Sequence, residues 1–243
     1  MDAVRRRWLA RLPDRPVWVE ARDLLSRSAS RLIEHPTGAG FVVWRAEAGL
    51  GAVVGEPEPE ALALAAGDAP ELLAFADNVE RVRSLLPGFV AEPATIFEDP
   101  GRWPPPPPHR CREIGPGAIA ALDHLPDDLL AQLAGAARDG VPVVTAFDGA
   151  LPVAFSYVAS ETEALWDVSI DTLPSHRRRG YAAAAALHLM RVMRARGKTA
   201  VWGALDDNPA SANLARRLGF VESGRLWVVT RGPEGASPVQ GAR

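Results

Sequence analysis

Apolar positions fall into two stretches separated by a run of prolines, and their spacing is sharper in the second. In the first, Gly40-Phe41-Val42-Val43-Trp44-Arg45 and Leu50 to Val54 are short apolar runs around a turn, which predicts two strands. Glu60 to Ala66 and Pro70 to Leu86 carry helical spacing, with Leu72, Leu73, Phe75, Val79, Val82 and Leu85 marking one face. Ala91 to Phe97 predicts a further strand. Trp103-Pro104-Pro105-Pro106-Pro107-Pro108 then interrupts the pattern. Consecutive prolines lack amide donors and favour an extended conformation, so residues 103–111 are expected to form a semi-rigid linker.

Beyond the prolines, Ala118 to Leu125 and Asp127 to Ala137 read as helices, the second with acidic residues in its first turn that complement the helix dipole. Val143 to Phe147 and Pro152 to Val158 read as strands joined through Asp148-Gly149, a hairpin signal. Leu165 to Thr172 predicts a strand, and Tyr181 to Arg196 a helix closed by Gly197. Thr199 to Leu205 is a strand, Ala210 to Leu218 a helix, and Val221 to Thr230 a last strand region. Two helices, a hairpin and then alternating strands and helices predict an α/β (α+β) mixed sheet flanked by helices. The expected organisation is a smaller α/β domain over 1–102, the linker, a second domain over 112–232, and a flexible tail over 233–243.

Composition narrows this picture without redirecting it. The 243 residues suffice for one large domain or two small ones, and 47% hydrophobic with 23% charged residues is ordinary for a soluble protein. A net charge of -3 gives no reason to expect nucleic acid or an anionic membrane as partner. The most apolar run, Ala182 to Leu187, is too short to span a bilayer, and Trp8-Leu9-Ala10 is cut off by Arg11 and Pro13, so no signal peptide is expected. The single cysteine, Cys111, excludes an intramolecular disulfide and suits a reducing cytoplasm. Its flank offers no nucleophile context, and it reads as incidental. No Cys or His spacing suits zinc, so no metal is expected.

The segment Ile170-Asp171-Thr172-Leu173-Pro174-Ser175-His176-Arg177-Arg178-Arg179-Gly180-Tyr181-Ala182 carries the clearest chemistry. An apolar strand ends, a turn with proline follows, and a loop rich in arginine opens an alanine-rich helix. A helix N-terminus exposes unpaired amides with partial positive charge, so it binds phosphate readily. Gly180 and Ala182 remove bulk where backbone must approach an anion, and Arg177, Arg178 and Arg179 add cationic donors. The residues alone therefore point to a ligand bearing a diphosphate. A basic surface turn that merely caps a helix is the other reading of that loop taken by itself. Further along the chain stands Asn208-Pro209-Ala210-Ser211, running into Leu218-Gly219-Phe220.

The strand, the Arg177-x-x-Gly180-x-Ala182 loop and the Asn208-x-x-Ser211 to Leu218-Gly219-Phe220 helix, in this order, resemble the GNAT superfamily of N-acetyltransferases, most nearly bacterial members with an additional N-terminal domain. The resemblance covers residues 112 to 230 and is strongest over 165 to 222. A degenerate second copy of the fold is one reading of residues 1–102. The resemblance implies acetyl-CoA as donor, its pantetheine arm entering between strands 165–172 and 199–205. Backbone groups of Ile170, Asp171 and Thr172 would pair with that arm, amides of Arg178, Arg179, Gly180, Tyr181, Ala182 and Ala183 would hold the diphosphate, and Asn208 would contact the arm. Ser211 is a further candidate for cofactor contact, or a capping residue.

An amine attacking the thioester must first lose a proton. Asp167 and Asp171 share one side of their strand by parity. Asp167, farther from the phosphate turn, is the candidate general base. The tyrosine that many members of the superfamily carry after Leu214 is here Ala215, so Tyr157 is the remaining, weaker candidate acid. His35 and His176 read as solvated turn residues, His188 as surface. Trp166, Trp202 and Trp227 read as core or rim, with Trp202 a second candidate for the acceptor pocket. The expected activity is acetylation of a small-molecule amine in a ternary complex. Protein or peptide N-acetylation and a non-catalytic acyl-CoA-binding module are the alternatives, and monomer and homodimer are both compatible with the sequence.

Overall fold

The computed structural model describes residues 1–232; the tail expected over 233–243 lies outside the described residues. Helices α1 (Ala3–Arg11) and α2 (Val19–Ser26) open the chain, followed by β1 (Arg31–Glu34), β2 (Gly40–Arg45), β3 (Leu50–Gly55), α3 (Pro59–Asp68), β4 (Glu71–Ala74), α4 (Val79–Leu85) and β5 (Phe89–Glu98). After the prolines come β6 (Arg110–Glu113), α5 (Pro116–Ala120), α6 (Asp127–Arg138), β7 (Val143–Asp148), β8 (Leu151–Glu161) and β9 (Leu165–Thr172). The chain continues through α7 (Tyr181–Ala195), β10 (Thr199–Leu205), α8 (Pro209–Arg217) and β11 (Val221–Arg231).

It divides into two compact units: one holds Met1–Ile96, Ala204–Pro209 and the chain from Ser223, the other Phe97–Gly203 and Ala210–Glu222. Strand order in the first is β1-β2-β3-β4-β11-β5, and in the second β10-β9-β8-β7-β6. One sequence of elements occurs twice. Two helices, three strands, a helix, a strand, a helix and a strand run from α1 to β5 and again from α5 to β11. The pairings repeat with them: β1, β2 and β3 are antiparallel neighbours and β3 pairs parallel with β4, as β7, β8 and β9 are antiparallel and β9 pairs parallel with β10.

Each unit has its own core. Val42, Trp44, Val53, Leu62, Leu72 and Val82 fill the first, and Ile119, Leu129, Leu133, Val143 and Phe155 one side of the second. Burying each large aliphatic side chain contributes about 1.5–3 kcal/mol. On α7, Ala184, Ala185 and Ala186 are all buried, so the helix packs closely on β7, β8 and β9. It ends where Gly197 turns left-handed at φ 79° and the amide of Lys198 reaches back to Met193 O at 3.1 Å.

Three expectations change. Residues 70–86 are not one helix: the apolar set splits into β4, a turn and α4. The buried Asn78 makes that turn, accepting from the Phe75 amide at 2.8 Å and donating to Val53 O at 2.8 Å. Helix α5 stops at Ala120 rather than Leu125, yet Leu122 and Leu125 stay buried on successive turns, so the apolar pattern is satisfied without helix. The proline run belongs to the second unit rather than standing between two domains. Its flanks bond to that unit: Trp103 Nε1 donates to Asp99 Oδ1 at 2.7 Å and Arg194 Nη1 to Gly101 O at 3.0 Å. Residues 1–39, whose spacing predicts no helix or strand, supply α1, α2 and β1. Among the described residues no helix is long and apolar enough to cross a membrane.

Glu20 in α2 gives the first unit a pH signature. Its Oε2 is inaccessible and meets no hydrogen-bond donor among the described residues. Burial foremost, opposed by a backbone hydrogen bond and aided by the charge of Asp23, pushes its carboxyl up to about 7. A folded value above the unfolded one means that this group's contribution is complete below the ordinary carboxylate pKa and is lost as pH rises toward 7. Glu20→Gln should therefore match the parent in thermal stability at pH 4 and exceed it increasingly up to pH 7, at about 1.4 kcal/mol per pH unit at most. A melting-temperature difference independent of pH would contradict this.

Candidate functional site

Strands β9 and β10 pair in parallel at Leu165, Trp166 and Asp167 against Thr199, Ala200 and Val201. There the registered pairing stops, while β9 runs on to Thr172. On its other edge β9 stays paired with β8 up to Thr172, opposite Ala154. The backbone of Val168 to Thr172 thus has one hydrogen-bonded edge and one edge open to an added extended chain. Ile170, Asp171 and Thr172 are all half-buried along it.

The loop after β9 is a short 3-10 turn, Pro174–His176, followed by Arg177 and two left-handed residues. Arg178 at φ 60° is the one non-glycine with positive φ among the described residues, and Gly180 lies at φ 89°. Such alternation turns successive amides toward one concave point. No side chain caps α7, and the first amide to bond back is that of Ala184, to Gly180 O at 3.0 Å. Those of Tyr181, Ala182 and Ala183 therefore have no acceptor within the helix.

The arginines divide their roles. Arg177 folds back, its Nε donating to Thr172 O at 3.2 Å. Arg179 lies 3.4 Å from Asp148 Oδ2 and 5.4 Å from the Tyr181 ring centre. The Arg178 side chain is exposed and makes no ion pair or hydrogen bond among the described residues, which leaves its guanidinium available to an anion. Tyr181 is buried, with its ring against His109 at 4.0 Å between centres, so its side chain is structural and only its amide faces the loop. His176 is not the solvated residue expected: Nε2 lies 3.4 Å from Asp148 Oδ2 and Nδ1 2.9 Å from Ser175 Oγ.

On the side of β9 that carries Asp167, Ser169 and Asp171 stands Tyr157 of β8, opposite Ser169. The Tyr157 hydroxyl bonds Gln132 Oε1 of α6 at 2.5 Å and lies 3.4 Å from Asp171 Oδ2. Burial raises the Asp171 carboxyl above the usual carboxylate range; the Asp128 charge adds to this, while Tyr157 and Arg177 oppose it. Burial, then the charge of Asp171, holds the Tyr157 phenol well above its ordinary value. Asp167, half-buried where the β9–β10 pairing ends, faces the same side.

Other candidates lie elsewhere. Ser211 accepts from Trp202 Nε1 at 2.9 Å, and Trp202 is a core residue against Phe220. Asn208 is exposed in a turn that belongs with the first unit, so it is not among the residues that the second unit gathers. Ala215 is fully buried. Cys111 sits on strand β6 with its thiol pushed up to about 11 by burial, which removes it as a thiolate nucleophile. His109, Gln132 and Asp148 were not singled out from the sequence. The Asp148-Gly149 hairpin signal was the only hint of any of them.

Residues 144–228 match the family model described as GNAT acetyltransferase. Solved structures similar in fold include a GCN5-related N-acetyltransferase-like protein from Streptococcus suis, at 15% identity and TM-score 0.71 over 94% of this chain and 98% of that one. A GCN5-related N-acetyltransferase from Kribbella flavida is 17% identical, with TM-score 0.61 over 90% of this chain and 96% of its own. A tandem GNAT protein from the clavulanic acid biosynthesis pathway is 15% identical, with TM-score 0.58 over 95% of both chains.

Proposed function

We propose that the second unit binds acetyl-CoA and transfers its acetyl group to a small-molecule amine in a ternary complex. The observation that carries this reading is the coincidence of two features on one strand. The open edge of Val168 to Thr172 leads directly into the uncapped, left-handed loop Arg178–Gly180. The pantetheine arm would add to that edge as a strand does, and the amides of Arg178 to Ala183 would take the diphosphate, with Arg178 adding charge.

The acceptor's ammonium gives its proton to a carboxylate, directly or through water, and the amine nitrogen then attacks the thioester carbon. The C–N bond forms, a backbone amide of β9 stabilises the oxyanion, the C–S bond breaks, and the second proton shed by the attached nitrogen passes through water to the departing thiolate of coenzyme A. Asp167 and Asp171 are the candidate bases. Burial makes the Asp171 carboxylate hold a proton more tightly, which suits it to the task. The same physics makes Tyr157 a reluctant acid, so its part is to orient Asp171 through the hydroxyl it shares with Gln132. The half-buried acidic side of β9 favours a slim cationic acceptor.

A panel of amines, amino acids and peptides assayed for thiol release from acetyl-CoA tests the activity. Turnover with small amines is expected. Binding of acetyl-CoA without turnover on any acceptor would favour a non-catalytic acyl-CoA-binding module, the reading to which the buried Ala215 lends weight. Asp171→Asn should lower kcat about 100-fold and remove the acidic limb of the pH–rate profile, as expected for a lost general base. If Asp167→Asn has that effect and Asp171→Asn does not, the base is Asp167.

The repeated element order supports reading the first unit as a degenerate copy of the same fold. Where β9 leads into the arginine loop, β3 leads into Gly55-Glu56-Pro57-Glu58, with Pro59 opening α3. Two glutamates repel a diphosphate, and the proline removes an amide donor. One donor site per chain follows.

A further inference from the structure

The proline run ends on the phosphate loop. Pro107 and His109 are the atoms nearest to a Cβ placed on Gly180, at 3.4 Å and 3.3 Å. His109 Nε2 lies 2.8 Å from the carbonyl oxygen of Arg179, and its ring rests on that of Tyr181. At the other end of the run, the Trp103 ring lies 5.0 Å under the Arg194 guanidinium, near the C-terminus of α7. From Trp103 to His109 a polyproline chain rises about 19 Å at about 3.1 Å per residue. From Arg194 back to Tyr181 an α-helix spans about 20 Å at about 1.5 Å per residue. The two lengths match, so the stiff prolines lie along α7 and deliver His109 to its N-terminus.

We infer that His109 is a positioning residue for the donor site: it locks the Arg179–Gly180 peptide so that the Gly180 amide faces the diphosphate. In a planar trans peptide the carbonyl and the following N–H point in opposite directions. Holding the Arg179 oxygen toward the Nε2–H of His109 turns the Gly180 N–H away from the proline strap, into the concavity formed by the loop. Gly180, at φ 89° and without a side chain, has little of its own to stop that peptide from flipping. A flipped peptide would present a carbonyl oxygen to the phosphates in place of a donor. Asp148 braces the far side of the loop through His176 and Arg179, but neither contact involves the backbone of that peptide.

The inference rests on the assignment of the loop to acetyl-CoA, and the test separates the two. Affinity for acetyl-CoA is measured by calorimetry on the full chain and on His109→Ala, His109→Gln and Gly180→Asp, with inorganic pyrophosphate as a competitor and melting temperatures alongside. The His109 bond is at the surface, so both His109 variants should melt close to the parent. His109→Ala should bind acetyl-CoA and pyrophosphate about tenfold more weakly, as for one lost charge-assisted bond. His109→Gln, whose amide nitrogen can replace Nε2, should recover most of that loss. If His109→Ala binds both as the parent does while Gly180→Asp does not bind, the positioning role is wrong and the donor loop stands. If His109→Ala weakens acetyl-CoA and leaves pyrophosphate unchanged, or if glutamine fails to rescue, the role is also wrong. If neither His109→Ala nor Gly180→Asp alters binding, the loop is not the donor site.

Discussion

Gly180→Asp is expected to weaken acetyl-CoA binding by at least about 100-fold, the equivalent of about 3 kcal/mol. Three effects act together. The residue sits at φ 89°, a conformation that costs a side chain about 1–2 kcal/mol. Its Cβ would press on His109 Nε2 at 3.3 Å and Pro107 at 3.4 Å, displacing the strap that holds the loop. The new carboxylate would add a negative charge beside the amides of Tyr181, Ala182 and Ala183, and would repel a phosphate. The loop is half-exposed, so the melting temperature should fall by only a few degrees. A variant that folds and binds acetyl-CoA like the parent would remove the loop from the donor site.

Arg5→Ala is expected to destabilise the first unit by about 3 kcal/mol. The Arg5 guanidinium is buried and donates to the carbonyls of Leu24, Leu25, Arg27 and Ser30, where α2 ends and the chain turns toward β1. A helix C-terminus leaves four carbonyls without intrahelical donors, and here one side chain from α1 supplies two of them, Leu24 and Leu25, and bonds Arg27 and Ser30 just beyond. Alanine removes the donors and leaves the acceptors buried. For a unit of this size the melting transition should drop by roughly 9–18 °C. Arg5→Lys, a single point charge without the planar fork, should recover less than half of the loss. A change under about 1 kcal/mol, measured by denaturant titration, would mean that water reaches those carbonyls.

The stretch from β9 to α8 could be read closely from sequence because several local signals agree there. The Leu165 to Thr172 run is apolar and bounded by a proline turn, α7 is a long alanine-rich period, and Gly197 marks its end. The loop between β9 and α7 was legible for the same reason: its proline turn, its arginines and the helix it opens are contiguous. What brings distant residues to one place was not. His109 reads as part of a linker until the chain is folded, and Gln132 is one polar residue on an amphipathic helix until Tyr157 meets it. The split of residues 70–86 into strand and helix hinged on Asn78, whose side chain bonds across to β3, a contact that spacing does not encode. The repeat of element order could be raised from the sequence only as one reading of residues 1–102, since loop lengths and side chains differ between the two halves while backbone pairing is retained.

The central claim is one acetyl-CoA site per chain, formed by the open edge of β9 and the loop at the start of α7. Calorimetric titration of the full chain with acetyl-CoA tests it most directly. One mole bound per mole of chain, displaced by free coenzyme A and abolished in Gly180→Asp, is the predicted result. Absence of binding at millimolar ligand, or two moles bound per chain, would contradict it.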